Sequence, residues 1–310
     1  LENTPATEIE KIEVFETPPA KYDAAGNAGI INIVRKKGTN LGFNGSAGLN
    51  TGYGNYHKFS PWIYGNYRAK KINIYGSSWY YNSKTAHDGT WDITINNNGV
   101  ESSFYNKKKS IYSPEGYGAR YGVDYSISKK NTIGYLGVAY SGGSKIKEPT
   151  TVTVTGPAES NYDAIDAENN RFVSWFGHTH NLNFTRDIGK GESLNIDLDY
   201  IQRGSDNENV VINNYFRNDT AQTPAYTEQK GDVKTRMAVT KLDYEKTIFK
   251  TWALETGAKA SWVSTRNQFL SSNGTNENDI LKNVDASNDF NYDEAIYAVY
   301  LSTSKKWKDN

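Results

Sequence analysis

Four histidines offer the first candidate chemistry in this chain: His57, His87, His178 and His180. The H-x-H spacing of the last two places both imidazoles on one face of an extended strand. That geometry suits two ligands of a zinc ion, but a protein zinc site has three or four protein ligands. Because no third ligand lies nearby in the sequence, we expect no metal here. We interpret the pair as part of a polar lumen face or of a strand near the rim.

The acidic segments and the glycine pairs also lack the spacing of a ligand site. Segments 205–209 and 272–279 carry the oxygen ligands that calcium prefers, but neither keeps the spacing of a twelve-residue calcium loop. We interpret both as solvated external loops. Two G-x-G patterns lie among tyrosines in strand-like segments with no following helix, so they do not cradle phosphate. We expect these glycines to lie opposite bulky tyrosines in a sheet; they are Gly52 with Gly54 and Gly116 with Gly118.

Charged side chains recur two or four residues apart on predicted strands and therefore share a strand face. The pairs are Asp197 with Asp199, Asp243 with Glu245, and Arg120 with Asp124. Carboxylates two positions apart on a strand lie ~6–7 Å from each other, a separation that a glycosidase would tolerate. No other feature of the sequence supports catalysis. We expect no enzyme, no catalytic residue and no cofactor, and we place these charges on a water-facing inner wall.

The elements that position these residues are strands with one apolar and one polar side. In residues 117–127, YGARYGVDYSI, apolar and aromatic residues alternate with glycine and polar residues. About ten such residues are enough for a tilted strand to cross a bilayer. The same alternation recurs in 193–200 and in 252–262, where a tryptophan stands at each end of the apolar face. A tilted strand of that length spans about 25 Å, so we interpret Trp252 and Trp262 as the two aromatic girdles of one spanning strand.

The joints between the strands are informative as well. Ten strands are predicted, at 41–50, 57–68, 72–82, 115–128, 132–142, 172–185, 193–203, 235–246, 252–265 and 292–304. The first joint, at 51–56, is short where the pattern requires a long one. Beyond it, short joints alternate with long ones, the long ones covering 84–112, 143–170, 204–234 and 267–290. Outer-membrane barrels have tight periplasmic turns and longer external loops, so the pattern predicts an all-β, antiparallel transmembrane β-barrel. Within 172–185 the alternation is imperfect, because Trp175 and Phe176 are adjacent; this predicts a bulge or a shifted register.

Composition agrees with a barrel. The 310 residues are 36% hydrophobic and 13% aromatic, with 23 tyrosines and 7 tryptophans, yet the mean hydropathy is −0.73. No apolar run approaches the ~18 residues of a spanning helix. A barrel reconciles these values, because only every second residue of a spanning strand meets lipid.

Charge and cysteine usage exclude further classes. The 35 basic residues balance the 35 acidic ones, with no long basic and aromatic stretch, so we expect no nucleic-acid partner. The absence of cysteine removes disulfides and thiolate metal sites. No basic-then-apolar export signal opens the chain at Leu1, and we expect an upstream part.

The first forty residues differ from the rest. Short β-runs at 9–18 and 30–34 flank a turn-rich link. Segment 9–38, IEKIEVFETPPAKYDAAGNAGIINIVRKKG, resembles the closing segment of the plug domain of TonB-dependent outer-membrane receptors, and residues 292–307 are similar to a strand-and-turn unit of that barrel family. The positions that carry the plug resemblance are Ile12, Val14, Pro18, Tyr22, Asp23, Ala24, Gly26, Gly29, Ile31, Asn32 and Ile33. The variant resembles most the branch whose complete members often carry an amino-terminal carboxypeptidase-regulatory-like domain.

The resemblance implies a plug-filled barrel of 22 strands that imports a scarce ligand across the outer membrane of a Gram-negative bacterium. We therefore expect the carboxy-terminal end of a plug domain at 1–38 and about ten barrel strands at 39–310, within a longer receptor. The TonB-contact box, most of the plug and the closing strands are absent from this sequence. The implied partners are outer-membrane lipid, the TonB energy-transducing complex, a small ligand and a candidate surface lipoprotein.

Ligand capture is expected on the four long joints, where aromatic side chains offer stacking surfaces and hydrogen bonds. The candidates are Trp91, Tyr105, Tyr162, Tyr215, Phe216 and Tyr226. A siderophore, a vitamin, an oligosaccharide and a peptide all remain open as the ligand. Two other classes also remain open: an unplugged barrel acting as a porin or adhesion protein, and a soluble secreted glycan-binding β-protein that would bury Trp252 and Trp262 in its core.

Overall fold

A computed structural model describes residues 9–15, 30–35, 41–156, 162–248 and 251–305. All regular structure in these ranges is β-strand. The strands are β1 Ile9–Phe15, β2 Ile30–Arg35, β3 Gly42–Tyr53, β4 His57–Arg68, β5 Ile72–Ser83, β6 Thr85–Asn97, β7 Val100–Ser126, β8 Asn131–Thr155, β9 Ala164–Asp187, β10 Glu192–Arg217, β11 Thr220–Ala221, β12 Ala225–Ile248, β13 Trp252–Gly274, β14 Leu281–Lys282 and β15 Asn288–Lys305. The described residues contain no helix with the length and hydropathy needed to cross a membrane.

The strands form two antiparallel sheets. β1 and β2 pair with each other, and the other thirteen strands form one sheet in the order β14, β13, β12, β10, β9, β8, β7, β5, β4, β3. β15 pairs with β13, β6 with β7, and β11 with β10. Within the described residues, β3 and β15 each pair along one edge only. Each of the ten predicted strands overlaps a long strand of this sheet, which confirms the predicted all-β antiparallel fold.

The predicted long joints differ most from expectation. Segment 84–112 contains the β6–β7 hairpin, and the other three long joints are largely paired extensions of the strands that flank them. Their Asn, Asp, Gly, Ser and Thr content favours turns locally, but pairing with a neighbouring strand satisfies their backbone groups and overrides that preference. The bulge predicted within 172–185 is wrong, since β9 pairs with β8 and β10 without a register shift.

The short turns lie at one end of the sheet, here called the turn end. At this end, along the sheet from β4 to β10, each strand extends one residue beyond the strand before it. Ser193 lies opposite Asp187, so β10 extends one residue beyond β9. Asn131 lies opposite Arg186, so β9 extends one residue beyond β8. The same one-residue step separates β8 from β7, β7 from β5, and β5 from β4. A regular stagger of this kind accompanies the strand tilt that a barrel wall requires.

Alternation gives the sheet two chemically distinct faces. The apolar face carries Tyr117, Ala119, Tyr121, Val123 and Tyr125 of β7 and the residues that pair with them. Through the ladder it continues into other strands, with Phe184, Leu198, Leu242, Trp262 and Val299 among its members. The polar face carries the intervening residues. Side chains at directly paired positions share a face, so these assignments follow from the register.

The sheet is a single layer. Among the described residues, only Ile146 and Val154 are buried hydrophobic side chains, and no large side chain is fully buried. Trp252 and Trp262 are 42% and 43% exposed, and Val299 is 83% exposed. A soluble sandwich would bury such residues against a second sheet, so the structure does not support the soluble β-protein alternative. An apolar face of this extent must meet an apolar surrounding, because in water it would lose the burial that drives folding.

Glycines allow large rings to lie flat on the polar face. A Cβ at Gly118 or Gly122 would collide with the ring of Trp79 or Tyr75, which belong to the neighbouring strand β5. The expectation that Gly116 and Gly118 lie opposite bulky tyrosines is therefore confirmed for Gly116, which faces Tyr81, whereas the ring against Gly118 is that of a tryptophan. For Gly52 the expectation is wrong, because it pairs with Lys58 and nothing lies within 4 Å of its Cβ position.

Gly118→Ala should therefore destabilise the sheet, because the added methyl group occupies the space of the Trp79 ring. We expect a loss of about 1–3 kcal/mol in the free energy of unfolding, the usual cost of overpacking. Urea titration of the full-length protein in lipid vesicles measures this quantity. Gly52→Ala is the matched control, since its methyl group meets open space; equal effects of the two substitutions would contradict the packing role of Gly118.

Candidate functional site

The polar face carries a ladder of amide and carboxylate side chains near the turn end. Asn66 Nδ2 donates to Asn73 Oδ1 at 2.8 Å, and Asn73 Nδ2 donates to Asp124 Oδ2 at 3.1 Å. The three residues come from β4, β5 and β7, which lie side by side. Because each amide both accepts and donates a hydrogen bond, the chain of bonds runs across the strands without leaving the face.

Gly134 joins this ladder to a second one. Gly134 lies between Asp124 and Asn183 in the register, and a Cβ there would lie 2.9 Å from Asp124 Oδ1 and 2.6 Å from Asn183 Oδ1. The two polar side chains therefore occupy the space that a larger residue would fill. Asn183 Nδ2 donates to Asn181 Oδ1 and Asn181 Nδ2 to Asp199 Oδ1, both at 2.8 Å.

The ladder ends in a charged group at β12. Lys241 Nζ lies 2.9 Å from Asp243 Oδ2, and the Tyr300 hydroxyl donates a short hydrogen bond to Asp243 Oδ1. Asp243 and Tyr300 both pair with Gly257, which leaves room between them for the Tyr300 ring. Of the charged pairs noted in the sequence, Asp197 and Asp199 also lie on this face, as does Asp124 with Arg120. The face is thus polar and held in place by bonds between its side chains.

At the opposite end, here called the hairpin end, the polar face holds a second cluster, centred on Glu148. Lys108 Nζ lies 2.9 Å from Glu148 Oε1, Ser110 Oγ donates to the same oxygen at 2.8 Å, and Asn169 Nδ2 donates to Oε2 at 3.4 Å. Burial disfavours the charged carboxylate, but the Lys108 and Ser110 hydrogen bonds outweigh it and hold the pKa of Glu148 below its ordinary value. No local sequence pattern indicates this cluster, because its members lie on three strands.

Amides continue the cluster towards β12. Arg171 Nε donates to Asn207 Oδ1 at 2.8 Å, and Asn209 Nδ2 donates to Gln229 Oε1 at 3.2 Å. The Oδ1 atoms of Asn169 and Asn209 are buried and accept no hydrogen bond from the described residues. Buried acceptors without a partner are costly, so these two oxygens are places where a bound molecule or water would gain a hydrogen bond.

The register divides the six predicted ligand-binding aromatics between the two faces. Trp91, Asn106, Val152, Ile165 and Tyr215 form one row on the polar face. Tyr162 stacks on Tyr215 with ring centroids 4.3 Å apart.

The other three aromatics belong to the apolar-face set. Tyr105 and Phe216 lie in one row through Thr153 and Ala164, and Tyr226 pairs with Ile212 on the same side. A ligand on the polar face can therefore meet Trp91, Tyr162 and Tyr215. The structure does not bring all six aromatics together.

The two acidic segments take different forms. Residues 205–209 are a paired part of β10, so the expectation of a loop there is wrong. In 272–279, Asp279 Oδ1 accepts hydrogen bonds from the backbone N–H groups of Thr275 and Asn276, both at 2.9 Å. The hydrogen bond from the Thr275 hydroxyl and these backbone bonds hold the pKa of Asp279 below its ordinary value. The described residues show no group of three or more His, Cys, Asp or Glu side chains placed to hold a metal ion.

Comparison with known families supports what the apolar face indicates. Residues 186–310 match the model of an outer membrane protein beta-barrel family. The matched region contains β10 to β15 and thus nearly half of the wall described above. The fold is that of an outer-membrane β-barrel. No curated protein sequence matches the chain. In this barrel the apolar face meets lipid, the turn end is periplasmic and the hairpin end is external.

The lipid-facing surface of the barrel carries the histidine pair. His178 and His180 pair with Ala139 and Gly137 of the apolar face, so their placement on a polar lumen face is wrong. Their ring centroids are 5.2 Å apart, and Tyr135 Oη lies 2.7 Å from His180 Nδ1. The pair lies among aromatic side chains, which is typical of the interfacial bands of outer-membrane barrels.

Aromatic residues mark both edges of the lipid-facing band. Trp252 and Trp262 share this face at the two ends of one spanning length of β13, and the girdle assignment stays a prediction that this placement supports. Near the external edge, Phe59 and Tyr80 pack edge to face with centroids 6.2 Å apart. Towards the periplasmic edge, Tyr244 Oη donates to Glu192 Oε1 at 2.6 Å.

Part of the predicted plug-end motif lies in the described hairpin. Ile12 pairs with Ile33, Glu13 with Asn32, and Val14 with Ile31 in the β1–β2 sheet. The other motif positions lie outside the described residues; they are Pro18, Tyr22, Asp23, Ala24, Gly26 and Gly29. The paired-strand form of the motif is therefore present, and its assignment to a plug stays a prediction.

The Glu148 cluster generates a pH-dependent prediction. A carboxyl group whose folded pKa is depressed stabilises the fold above its unfolded pKa, ~4.3 for Glu, and this stabilisation is lost as the pH falls through the depressed folded value. Acidification from pH 6 to pH 3 should therefore raise amide hydrogen exchange in 143–156 of the parent protein more than in Glu148→Gln. Hydrogen-exchange mass spectrometry, corrected for the intrinsic pH dependence, measures the difference.

Glu101→Gln is the matched control for this experiment. Glu101 lies near the tip of the β6–β7 hairpin, where Asn96 Nδ2 donates to its Oε1 at 3.3 Å, away from the Glu148 cluster. It should keep the acid response of the parent protein. The same acid response in the parent and in Glu148→Gln would show that the cluster does not hold the external hairpins.

Proposed function

We propose that this protein is a TonB-dependent receptor that imports a polar ligand across the outer membrane. The observation that carries the proposal is the polar face, which offers hydrogen-bonding side chains from the external hairpins to the periplasmic turns. A transport role follows from a barrel with such a wall. The dependence on TonB rests on the resemblance of residues 9–38 to the end of a plug domain, directly before the first barrel strand.

The proposed entry site is the external part of the polar face. Trp91 and the stacked pair Tyr162 and Tyr215 present aromatic rings there, which suit the apolar faces of sugar rings and the planar groups of peptides or chelates. Below them, the Asn169 and Asn209 oxygens offer acceptors for hydroxyl or amide donors. A siderophore, a vitamin, an oligosaccharide and a peptide each combine such groups, so they form the panel to be tested.

We infer transport and not catalysis, because the carboxylates of the polar face are held by hydrogen bonds from neighbouring side chains. Asp124, Asp199 and Asp243 each accept a hydrogen bond from a neighbouring side chain, and Asp243 is also paired with Lys241. Groups held in this way form a fixed polar wall, whereas a glycosidase needs one acid and one base free to reach the substrate. The proposed partners are outer-membrane lipid, the TonB complex, the ligand and a surface lipoprotein, and no nucleic acid.

Energy-dependent uptake tests the proposal. Cells that express the full-length protein are given labelled ferric siderophore, cobalamin, maltodextrin and a short peptide, with and without a protonophore. We expect one of the four to accumulate against its gradient, and this accumulation to stop when the proton gradient or TonB is removed. Uptake that persists without TonB and never exceeds the external concentration would instead support an unplugged porin.

Two adjacent aromatics of β10 allow a matched test of the entry site. Tyr215 lies on the polar face and Phe216 on the other face. Tyr215→Ala should weaken binding of the transported ligand by roughly 3- to 10-fold, since aromatic stacking contributes about 0.5–1.5 kcal/mol. Phe216→Ala should leave binding near the parent value. Titration calorimetry on the purified full-length protein measures both, and equal losses would contradict entry along the polar face.

A further inference from the structure

A groove opens on the lipid-facing surface of the barrel at the external girdle. It has a volume of about 460 Å³ and is lined by residues of β10, β12, β13 and β15, among them Tyr200, Arg236, Ala238, Trp262 and Asp293. Ala238 pairs with Tyr200 on one side and with Trp262 on the other. A small residue between two large aromatic ones produces the groove, whose two walls rise from strands about 10 Å apart.

The walls of the groove are held in place. Trp262 Nε1 donates to Tyr297 Oη at 3.1 Å, and the two rings pack edge to face at 5.9 Å. On the other side, Tyr200 Oη donates to Gln202 Oε1 at 3.2 Å. Both aromatic rings therefore keep their apolar surfaces turned to the groove and to the bilayer.

Arg236 lies at the external edge of the groove. It lies two residues before Ala238 in the sequence and on the same face of β12, which places it further from the periplasmic end. Its side chain is exposed. The next cations outward are already paired: Lys234 Nζ lies 2.7 Å from Asp232 Oδ2, and Arg266 Nη2 lies 3.4 Å from Asp289 Oδ2. No described residue forms a hydrogen bond or ion pair with Arg236. Asp293 lies two strands away from Arg236, because Ser264 of β13 lies between them in the register.

The position of Arg236 relative to the girdle identifies the level that it reaches. Trp262 stands one spanning length from Trp252 and therefore at the external boundary of the hydrocarbon layer. Two residues along a strand add about 7 Å, which places the Arg236 guanidinium among the headgroups of the outer leaflet. Guanidinium groups bind phosphate by paired, charge-assisted hydrogen bonds.

We propose that this groove is a binding site for a phosphate-bearing lipid of the outer leaflet. The Arg236 guanidinium binds the phosphate, and one acyl chain lies over Ala238 between Tyr200 and Trp262. The occupant is a lipid and not free phosphate, because the groove below the guanidinium is apolar and opens towards the bilayer. The site lies on the outer surface of the barrel and is distinct from the proposed ligand entry on the polar face.

Quenching of tryptophan fluorescence by brominated lipids tests the proposal on the full-length protein. The Trp252→Phe variant serves as the background, because it leaves Trp262 as the lipid-facing tryptophan of β13. The protein is reconstituted in dioleoylphosphatidylcholine vesicles. From the quenching by dibrominated phosphatidic acid, we expect its local concentration beside Trp262 to be about fivefold higher than its average concentration in the bilayer. This is the enrichment expected from one cation beside an anionic headgroup. Dibrominated phosphatidylcholine should show no such enrichment. Trp262→Phe should remove the enriched quenching, which verifies the reporter.

Charge-neutralising variants test whether Arg236 causes the enrichment of phosphatidic acid. Arg236→Gln should abolish the enrichment of phosphatidic acid while quenching by brominated phosphatidylcholine stays unchanged, which shows that the barrel is still inserted. Arg203→Gln is the matched control, because Arg203 follows Gln202 on β10 and faces the lumen; it should keep the parent preference. Enrichment that survives in Arg236→Gln, or that Arg203→Gln also removes, would overturn the site. Trp262 emission that neither brominated lipid quenches would show that protein covers the groove, and would overturn it as well.

Discussion

The constraint on which this structure depends is that every strand must hydrogen-bond to its neighbours at a tilt. Inside a bilayer no water is available to satisfy backbone N–H and C=O groups, so a spanning sheet must pair them within itself. The ladder from β3 to β15 does so along nearly all of the spanning region, with a gap between β4 and β5 at Ser60 and Pro61, where proline has no N–H to donate. Its one-residue steps at the periplasmic turns give the strands their common tilt, and the tilt brings each apolar stretch to the same depth.

The continuous ladder also determines the chemistry of the two surfaces. Because side chains alternate and the register is kept from strand to strand, a residue's parity on its own strand decides whether it meets lipid or the lumen. The amide ladder through Asn73 and Asn181 and the Glu148 cluster are consequences of this alternation, since their members come from different strands. The same rule turns His178 and His180 outwards and divides the external aromatics between the two sides. A one-residue shift of any strand would exchange the two faces.

Glycine has two uses in this wall. Gly118 and Gly122 provide space for the rings of Trp79 and Tyr75, so a single layer gains packing on its lumen face without a second layer of structure. Gly134 provides space for the polar side chains of Asp124 and Asn183. In a single sheet, contacts between adjacent strands replace the core of a soluble domain. On the other side, lipid-facing aromatics pack against each other, as Trp262 does against Tyr297.

Local pattern alone was enough to predict the ten long strands, their antiparallel order and the apolar face, because a period of two and the turn residues are properties of contiguous sequence. Sequence also indicated that the Trp252–Trp262 stretch spans a bilayer. It did not predict that the long joints continue as paired strands, because pairing energy belongs to two segments at once. Nor did it place Glu148 beside Lys108 and Asn169, or Tyr105 in one row with Phe216, since these depend on the register between strands. The sequence by itself therefore determined which segments could cross the membrane, and the tertiary structure decided which side chains meet, because hydrogen-bond register is a relation between strands distant in the chain.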